Sequence, residues 1–311
     1  MIVVLVFVIS IFVGLIWFTT KMDNNIESIF TPTGKLTTVS GGIIHWQKQG
    51  NGPALILIHG LLGNSNNFNA LAKTLADRYT VYSIDRPGSG FSTRYKGTSA
   101  SFEQQSKMIL EWMHKENIVS ASVAGHSMGG GIALRMAIDA PEKITSVSLL
   151  CPLTTPLQSG AGPLSVLYIP NEFVRKSVSK TISSPLRARF GRKQSAQIFH
   201  PEAVPPSFSV DGGGILALHS RSFYEGSRDT VSAQGSLFRQ QSRYSEIACP
   251  VGILYGENDV ILKPADHINT ITKAIPSAKS NIIPNAGHMI PVTQVQACAD
   301  FICAIDARNI A

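Results

Sequence analysis

Four short stretches of this chain hold residue types that can move acyl groups. Val123 to Ala137 reads VAGHSMGGGIALRMA, with Ser127 between Gly125 and Gly129. β-formers precede this serine and helix formers follow it. A serine at such a joint is an exposed nucleophile or a member of a tight turn, and the flanking glycines suit both. The other three stretches are His59-Gly60-Leu61-Leu62-Gly63 after ALILI, Gly256-Glu257-Asn258-Asp259 after VGILY, and Asn285-Ala286-Gly287-His288 after NIIP. A serine hydroxyl is a poor nucleophile until a base takes its proton, so Ser127 matters chemically only if the fold brings a histidine to it.

The elements that must do this are legible as alternating apolar runs. Leu36–Val39 and Ile43–Gln47 read as a hairpin around Gly41-Gly42. Ala54–Ile58, Tyr79–Ile84, Ala121–Ala124, Ile144–Leu150, Val251–Tyr255 and Ser280–Ile283 read as strands. Asn69–Asp77, Phe102–Lys115, Gly129–Asp139, Pro264–Ala274 and Pro291–Ile305 read as helices between and after them. Strand and helix in alternation imply a mostly parallel sheet covered on both faces. Right-handed crossovers then gather every strand-to-helix turn on one sheet edge, where ligands bind in such folds. All four stretches fall on that edge.

In the order Ser, Asp, His, each at a predicted strand end, the chain resembles the α/β-hydrolase superfamily from about Lys35 to its C-terminus, and most of all its bacterial esterase and lipase members with HG-x-x-G after an early strand. The turn Ile84-Asp85-Arg86-Pro87-Gly88-Ser89-Gly90-Phe91-Ser92 resembles the family's as well. One G-x-S-x-G is weak on its own, and its company makes it specific. The resemblance implies an α/β-hydrolase fold with Ser127 as nucleophile, His288 as general base and Asp259 holding the imidazole tautomer. It implies an oxyanion hole from the backbone N–H groups of Met128 and Leu61, each such donor being worth about 3–4 kcal/mol in the transition state. Glu257 and Asp85 compete with Asp259. Some relatives carry the acid after the strand that ends here in Leu149-Leu150-Cys151-Pro152, and this chain has none there. The resemblance gives His59 and His126 a bracing role, while His45, His114, His200, His219 and His267 have no partner pattern and read as surface or structural. Serine at the nucleophile position argues against the alkyl-ester chemistry of the dehalogenase and epoxide hydrolase relatives, which use aspartate. The expected reaction is carboxylic ester hydrolysis through an acyl-enzyme. Thioester hydrolysis, acyl transfer, carbon–carbon bond hydrolysis and a non-catalytic ligand-binding role are the alternatives.

The 311 residues suit one large α/β domain carrying an insertion, and 44% hydrophobic with 15% charged residues argues against disorder. The net charge of +7 is concentrated between Pro152 and Ser245, where the regular pattern breaks. This segment reads as a cap over the sheet edge, and its excess of Lys and Arg as a surface for anionic lipid or simply a solvated face. Phe173–Lys193 is the expected lipid contact. With no nucleic-acid motif among these cations, no nucleic-acid partner is expected. Cys151, Cys249, Cys298 and Cys303 show no metal spacing and read as small buried apolar residues. No cofactor or metal is expected. Residues 1–20, MIVVLVFVISIFVGLIWFTT, are long and apolar enough for a single transmembrane anchor. They lack the basic start and the small-x-small site of a cleaved signal peptide. The expected organisation is an anchor over 1–20, a linker over 21–34, hydrolase core over 35–151, a cap over 152–245 and core again over 246–311. The expected partners are a small acyl ester and, through the N-terminal helix, the membrane. The side of the membrane and the oligomeric state are left open.

Overall fold

A computed structural model describes residues 1–156 and 165–306. Residues 157–164, within the expected cap, and 307–311 lie outside the described residues. In chain order the elements are α1 (Ile2–Ile29), β1 (Lys35–Val39), β2 (Gly42–Gln49), β3 (Ala54–Ile58), α2 (Asn69–Leu75), β4 (Thr80–Ile84), β5 (Thr93–Arg94), α3 (Phe102–Lys115), β6 (Ala121–His126), α4 (Met128–Asp139) and β7 (Ile144–Leu150). There follow α5 (Glu172–Lys180), α6 (Ser183–Phe199), α7 (Ser220–Gln240), β8 (Val251–Gly256), α8 (Pro264–Ala274), β9 (Lys279–Ile283), α9 (Ile290–Thr293) and α10 (Val295–Asp306).

The strands form one sheet in the order β1-β2-β4-β3-β6-β7-β8-β9, with the short β5 on β2. Pairing from β4 onward is parallel, and only the entry strands β1, β2 and β5 pair antiparallel. The central strands are apolar throughout because both faces are covered: Leu55, Ile56, Leu57 and Ile58 of β3 are all fully buried. Helices α3, α4 and α8 pack on one face and α2 and α10 on the other. The expected C-terminal helix is two helices, α9 and α10, which part at Gln294, whose φ of −122° and ψ of 47° leave the helical region.

Between β7 and β8 the helices α5, α6 and α7 lie over the carboxyl edge of the sheet, held there by polar contacts from both sides. Asn64 Nδ2 donates to Gly213 O at 3.0 Å, Asn67 Nδ2 donates to Gly212 O at 2.6 Å, and the Gly287 N–H donates to Glu202 Oε2 at 2.9 Å. Deeper down, Arg86 Nη1 meets Asp229 Oδ2 at 2.9 Å, Arg94 pairs with both Glu225 and Asp229, and all four side chains are almost wholly removed from water. The insertion therefore spends two of its few acids on core arginines. Its basic residues do not all face outward either: Arg175 is buried, its guanidinium donating to Ile169 O and Ser227 Oγ.

The N-terminal segment departs from expectation. The linker read over 21–34 is helical as far as Ile29, so α1 is one continuous helix of 28 residues. Its second half has somewhere to dock. Thr19 Oγ1 donates to Thr181 O at 3.0 Å, Ile26 is buried, Asp23 Oδ1 accepts from the Ser220 N–H at 2.8 Å, and Glu27 Oε1 lies 3.0 Å from His219 Nε2. A polar stretch that finds cap partners on every turn has reason to stay helical. The first half has none: fifteen large apolar side chains from Met1 to Phe18 are exposed. Leaving each in water forgoes about 1.5–3 kcal/mol. By length and composition this helix can cross a membrane.

Candidate active site

Ser127 sits where β6 turns into α4, at φ 54° and ψ −121°, a strained backbone for any residue but glycine. The turn is locked by its own backbone, since the Ser127 N–H donates to Leu150 O at 3.0 Å and Ser127 O accepts from Gly130 and Leu153 N–H at 3.0 and 2.8 Å. Glycine is required beside it by close approach. A Cβ on Gly129 would collide with Ile58 O, and one on Gly125 would lie 2.5 Å from Gly129 O. The strained turn pushes the serine out of the β6 ladder toward the carboxyl edge, leaving it 9% exposed.

Asp259 and His288 come together at this edge although 29 residues separate them. His288 Nδ1–H donates to Asp259 Oδ2 at 2.7 Å. Asp259 Oδ1 accepts from the Ile261 and Leu262 N–H groups at 2.8 and 2.9 Å, which fixes the carboxylate. Burial pushes this carboxyl up, but His288 and the two amides outweigh burial and hold it below the usual range. With Nδ1 committed as donor, His288 Nε2 is the basic nitrogen. Among the described residues no hydrogen bond yet joins it to the Ser127 hydroxyl; such contacts commonly tighten only when substrate is bound. Of the competing acids, Glu257 faces the Asn285 N–H at 3.2 Å and Asp85 lies elsewhere.

Asp85 braces the turn after β4. Its Oδ1 accepts from the Ser65 N–H at 2.6 Å and its Oδ2 from the Phe91 N–H and His45 Nδ1, both at 2.8 Å. His45 thus has a partner that its sequence context did not show. Both its ring nitrogens face acceptors, Asp85 Oδ2 and Thr33 O, so both carry protons. Burial opposes the charge, and Asp85 more than offsets it, raising the His45 pKa. His219 and His267 also have partners, the first on α1 and the second through Nδ1, 3.1 Å from Thr154 Oγ1.

The HGLLG turn lies against the serine. A Cβ on Gly60 would stand 2.9 Å from Ser127 Cβ, so the two backbones nearly touch. The turn closes by the Gly63 N–H donating to Gly60 O at 3.2 Å, with Leu61 between. Met128 opens α4, where the first N–H groups have no intrahelical acceptor. His59 supports the turn as a neutral imidazole: Nδ1–H donates to Gly60 O at 2.8 Å, and Nε2 accepts the Arg86 N–H at 3.0 Å. Burial, with Arg86 beside it, pulls its pKa down to about 3. His126 packs on His288 with ring centroids 4.9 Å apart and donates from Nε2 to His288 O at 2.9 Å; burial and that neighbour lower its pKa to about 3.

Two residues here make contacts that sequence reasoning did not assign: Arg86, and Cys151, which is buried as expected. Arg86 donates from Nε to His59 O at 2.9 Å and from Nη2 to Gly60 O at 3.1 Å while pairing with Asp229, so one buried guanidinium joins the HGLLG turn to the cap. Its place in the DRPGSG turn was its only signal. Cys151, at φ 43°, donates from Sγ to Gly287 O at 3.7 Å, and its Sγ and one ligand atom each of Asp259 and His288 lie within 4.8 Å of one another. Burial pushes that thiol well up, so it stays protonated and uncharged beside the carboxylate.

The family model described as alpha/beta hydrolase fold matches residues 53–294. The chain belongs to this family. Among its relatives, a pimeloyl-[acyl-carrier protein] methyl ester esterase of Nitrosomonas europaea is 26% identical over 255 residues, covering 79% of this chain and 92% of that one. A dihydrolipoyllysine-residue acetyltransferase component of the acetoin cleaving system from Cupriavidus necator is 35% identical over 136 residues, which is 43% of this chain and only 36% of that relative's length. The enol-lactonase of Burkholderia xenovorans LB400 shares the fold at a TM-score of 0.71 and 18% identity, over 87% of this chain and 99% of its own.

Proposed function

We propose that the protein is a membrane-anchored serine hydrolase that cleaves carboxylic esters of lipophilic or small acyl groups. Ser127 attacks the ester carbonyl as His288 Nε2 takes its proton. The N–H groups of Leu61 and Met128 receive the oxyanion, and His288 returns the proton to the leaving alcohol. Water, activated by the same histidine, releases the acid from the acyl-enzyme. Asp259 holds the imidazole with Nδ1 protonated and balances the imidazolium that forms. No metal or cofactor enters this sequence. The observation that carries the reading is the Asp259–His288 bond of 2.7 Å at the same sheet edge as a serine at φ 54°. The esterase named among the relatives, matched over 92% of its length, is consistent with it. Purified full-length protein should hydrolyse 4-nitrophenyl alkanoates, and Ser127→Ala should reduce kcat by at least about 10³-fold. Unchanged turnover in that variant would overturn the assignment.

The anchor reading rests on the exposed apolar half of α1 and on the docking of its other half to the cap. A removed signal peptide would take the Thr19 contact with it. The exposed Phe173, Ile182, Leu186 and Phe190 lie on α5 and α6 or at their junction, next to the point where α1 leaves the cap. They are interspersed with Lys176, Lys180, Arg189 and Arg192. Such a face suits the interface of an anionic bilayer, where each cation adds about 1 kcal/mol. Deletion of residues 1–20 should move the protein from the membrane fraction to the soluble fraction.

A further inference from the structure

The cap carries a cavity of about 540 Å³ that opens to solvent past the exposed Val166, Leu186 and Phe190, and among the described residues Leu62 of the HGLLG turn joins its lining from the core. Its walls differ. Leu62, Leu167, Val178 and Phe223 make one side apolar. The other is α6, which presents Ser183, Arg187 and Gln194 at helical spacing, with Leu186 and Phe190 between them and a second cation, Lys193, beside Gln194. Arg187 is the unusual member. Its Nη1 is out of contact with solvent and has no hydrogen-bond partner. No carboxylate lines the cavity among the described residues, and the segment 157–164 contains no acidic residue. Burial alone pulls its pKa, to about 10, so it is a cation at neutral pH. Other inward arginines of the structure are handled differently: Arg86 and Arg94 have Asp229 and Glu225, and Arg175 has Ile169 O and Ser227. Arg187 is half-buried as a whole, and a guanidinium nitrogen shut off from water without an acceptor is unfavourable unless a ligand brings the anion.

We infer that this cavity is the substrate's specificity pocket, and that it selects esters carrying an oxyanion, carboxylate or phosphate, on an otherwise apolar chain, with Arg187 as the anion's partner. This inference rests on the reading of Ser127 as nucleophile. The scissile ester lies at Ser127, the chain passes Leu62, and the anion reaches α6. The contact with Leu62 makes this route short, because Leu62 directly follows Leu61, the proposed oxyanion donor. Arg187 touches the charged end of the ligand and not the reacting atoms, so its effect falls mainly on KM.

The test uses the full chain in neutral maltoside micelles at pH 8. Mono-4-nitrophenyl esters of α,ω-dicarboxylic acids with roughly 6 to 14 carbons are compared with the same esters methylated at the free acid; the charged member places the anion on the acyl side. Alkanoyl esters of 4-hydroxybenzoate and of its methyl ester place it on the leaving side. A charged-to-neutral ratio of kcat/KM of about tenfold or more in one of these series is expected, as for a charge-assisted contact. It should fall to about one in Arg187→Met and recover in part in Arg187→Lys. No preference in either series, or a preference that survives Arg187→Met, overturns the inference. Arg187 Nη1 has no partner to lose among the described residues, so the methionine variant should unfold no earlier than the parent. If the wild type cleaves none of these esters, the reading of Ser127 fails and the pocket is judged by binding alone. Calorimetry of a dodecanedioic acid monoamide with Ser127→Ala should then give an affinity at least about tenfold above that with Ser127→Ala/Arg187→Met, and equal affinities overturn the pocket.

Discussion

The chemistry proposed for this chain turns on which nitrogen of each histidine carries a proton. His59, His126 and His288 lie within a few side chains of each other, and each has one tautomer imposed by a named partner: Gly60 O, His288 O and Asp259. In the first two, burial suppresses the charged form; in His288 the ring is left with a basic Nε2. Asp259→Asn would offer an amide that can donate to Nδ1 and turn the ring over. It should lower kcat by about 10³–10⁴-fold with little change in KM. Gly60→Ala tests the proposed oxyanion role of the HGLLG turn. The added methyl would sit 2.9 Å from Ser127 Cβ, so one backbone must move. A shift of even a few tenths of an ångström misplaces the Leu61 N–H, and kcat should fall by about 10²-fold or more in stopped-time assays. Arg86 was not foreseen at this scale because its type and spacing resemble any surface arginine; only the contacts to His59 O, Gly60 O and Asp229 reveal its task.

Among the elements, α1 and α7 are joined in a way that ties the apolar N-terminal helix to the cap. Asp23 accepts from the N–H and hydroxyl of Ser220, the first residue of α7, and so caps that helix from outside its own chain segment. Glu225 and Asp229, five and nine residues further along α7, pair with Arg94 and Arg86 of the core. Asp23→Ala should cost about 1–2 kcal/mol, read as a lower unfolding midpoint. It should also expose α7 to protease before the core strands, because the cap end of the helix loses its anchor first. A midpoint equal to that of the parent would mean that solvent replaces the carboxylate without loss. Most elements were legible in the sequence because each carries its own period. The strand ALILI has no polar position and α3 alternates at helical spacing. The polar half of α1 was not legible, because what keeps it helical is the cap surface it meets rather than anything in residues 21 to 29.

For the whole molecule, acid is the expected weakness. His59, His126 and His267 have pKa values lowered to about 3, 3 and 4, chiefly by burial. The unfolded chain takes up a proton on each near pH 6.5, whereas the folded chain does not until far lower. The unfolded state therefore binds more protons between about pH 6.5 and 4, and stability is lost as pH is lowered across this window, by up to about 1.4 kcal/mol per unit for each histidine. Asp85 works alongside them. Its lowered pKa contributes stability above the ordinary carboxylate range, which is lost only as pH falls through its folded value. His45 acts in the opposite sense. Its raised pKa gives stability that is complete below the unfolded value and declines as pH rises through the folded one. Denaturant unfolding at pH 7, 6 and 5 should show the steep acid loss, and His267→Asn should flatten the slope by about a third.

Residue order and local pattern were enough to determine the α/β-hydrolase family, the nine-stranded core's helical partners, and the serine elbow with Asp259 and His288 at later strand ends. These are short-range properties: a strand run, a helix period and the small residues that a strained turn needs all act within a few residues. The tertiary structure alone decided that Asp259 rather than Glu257 meets His288, that His45 pairs with Asp85, that Arg86 joins the HGLLG turn to the cap, and that Arg187 lines a cavity with no carboxylate among the described residues. Each of those depends on groups tens to more than a hundred residues apart, and on whether water is excluded between them. Burial and pairing set the energy of a charge, and neither is a property of the residue's neighbours in sequence.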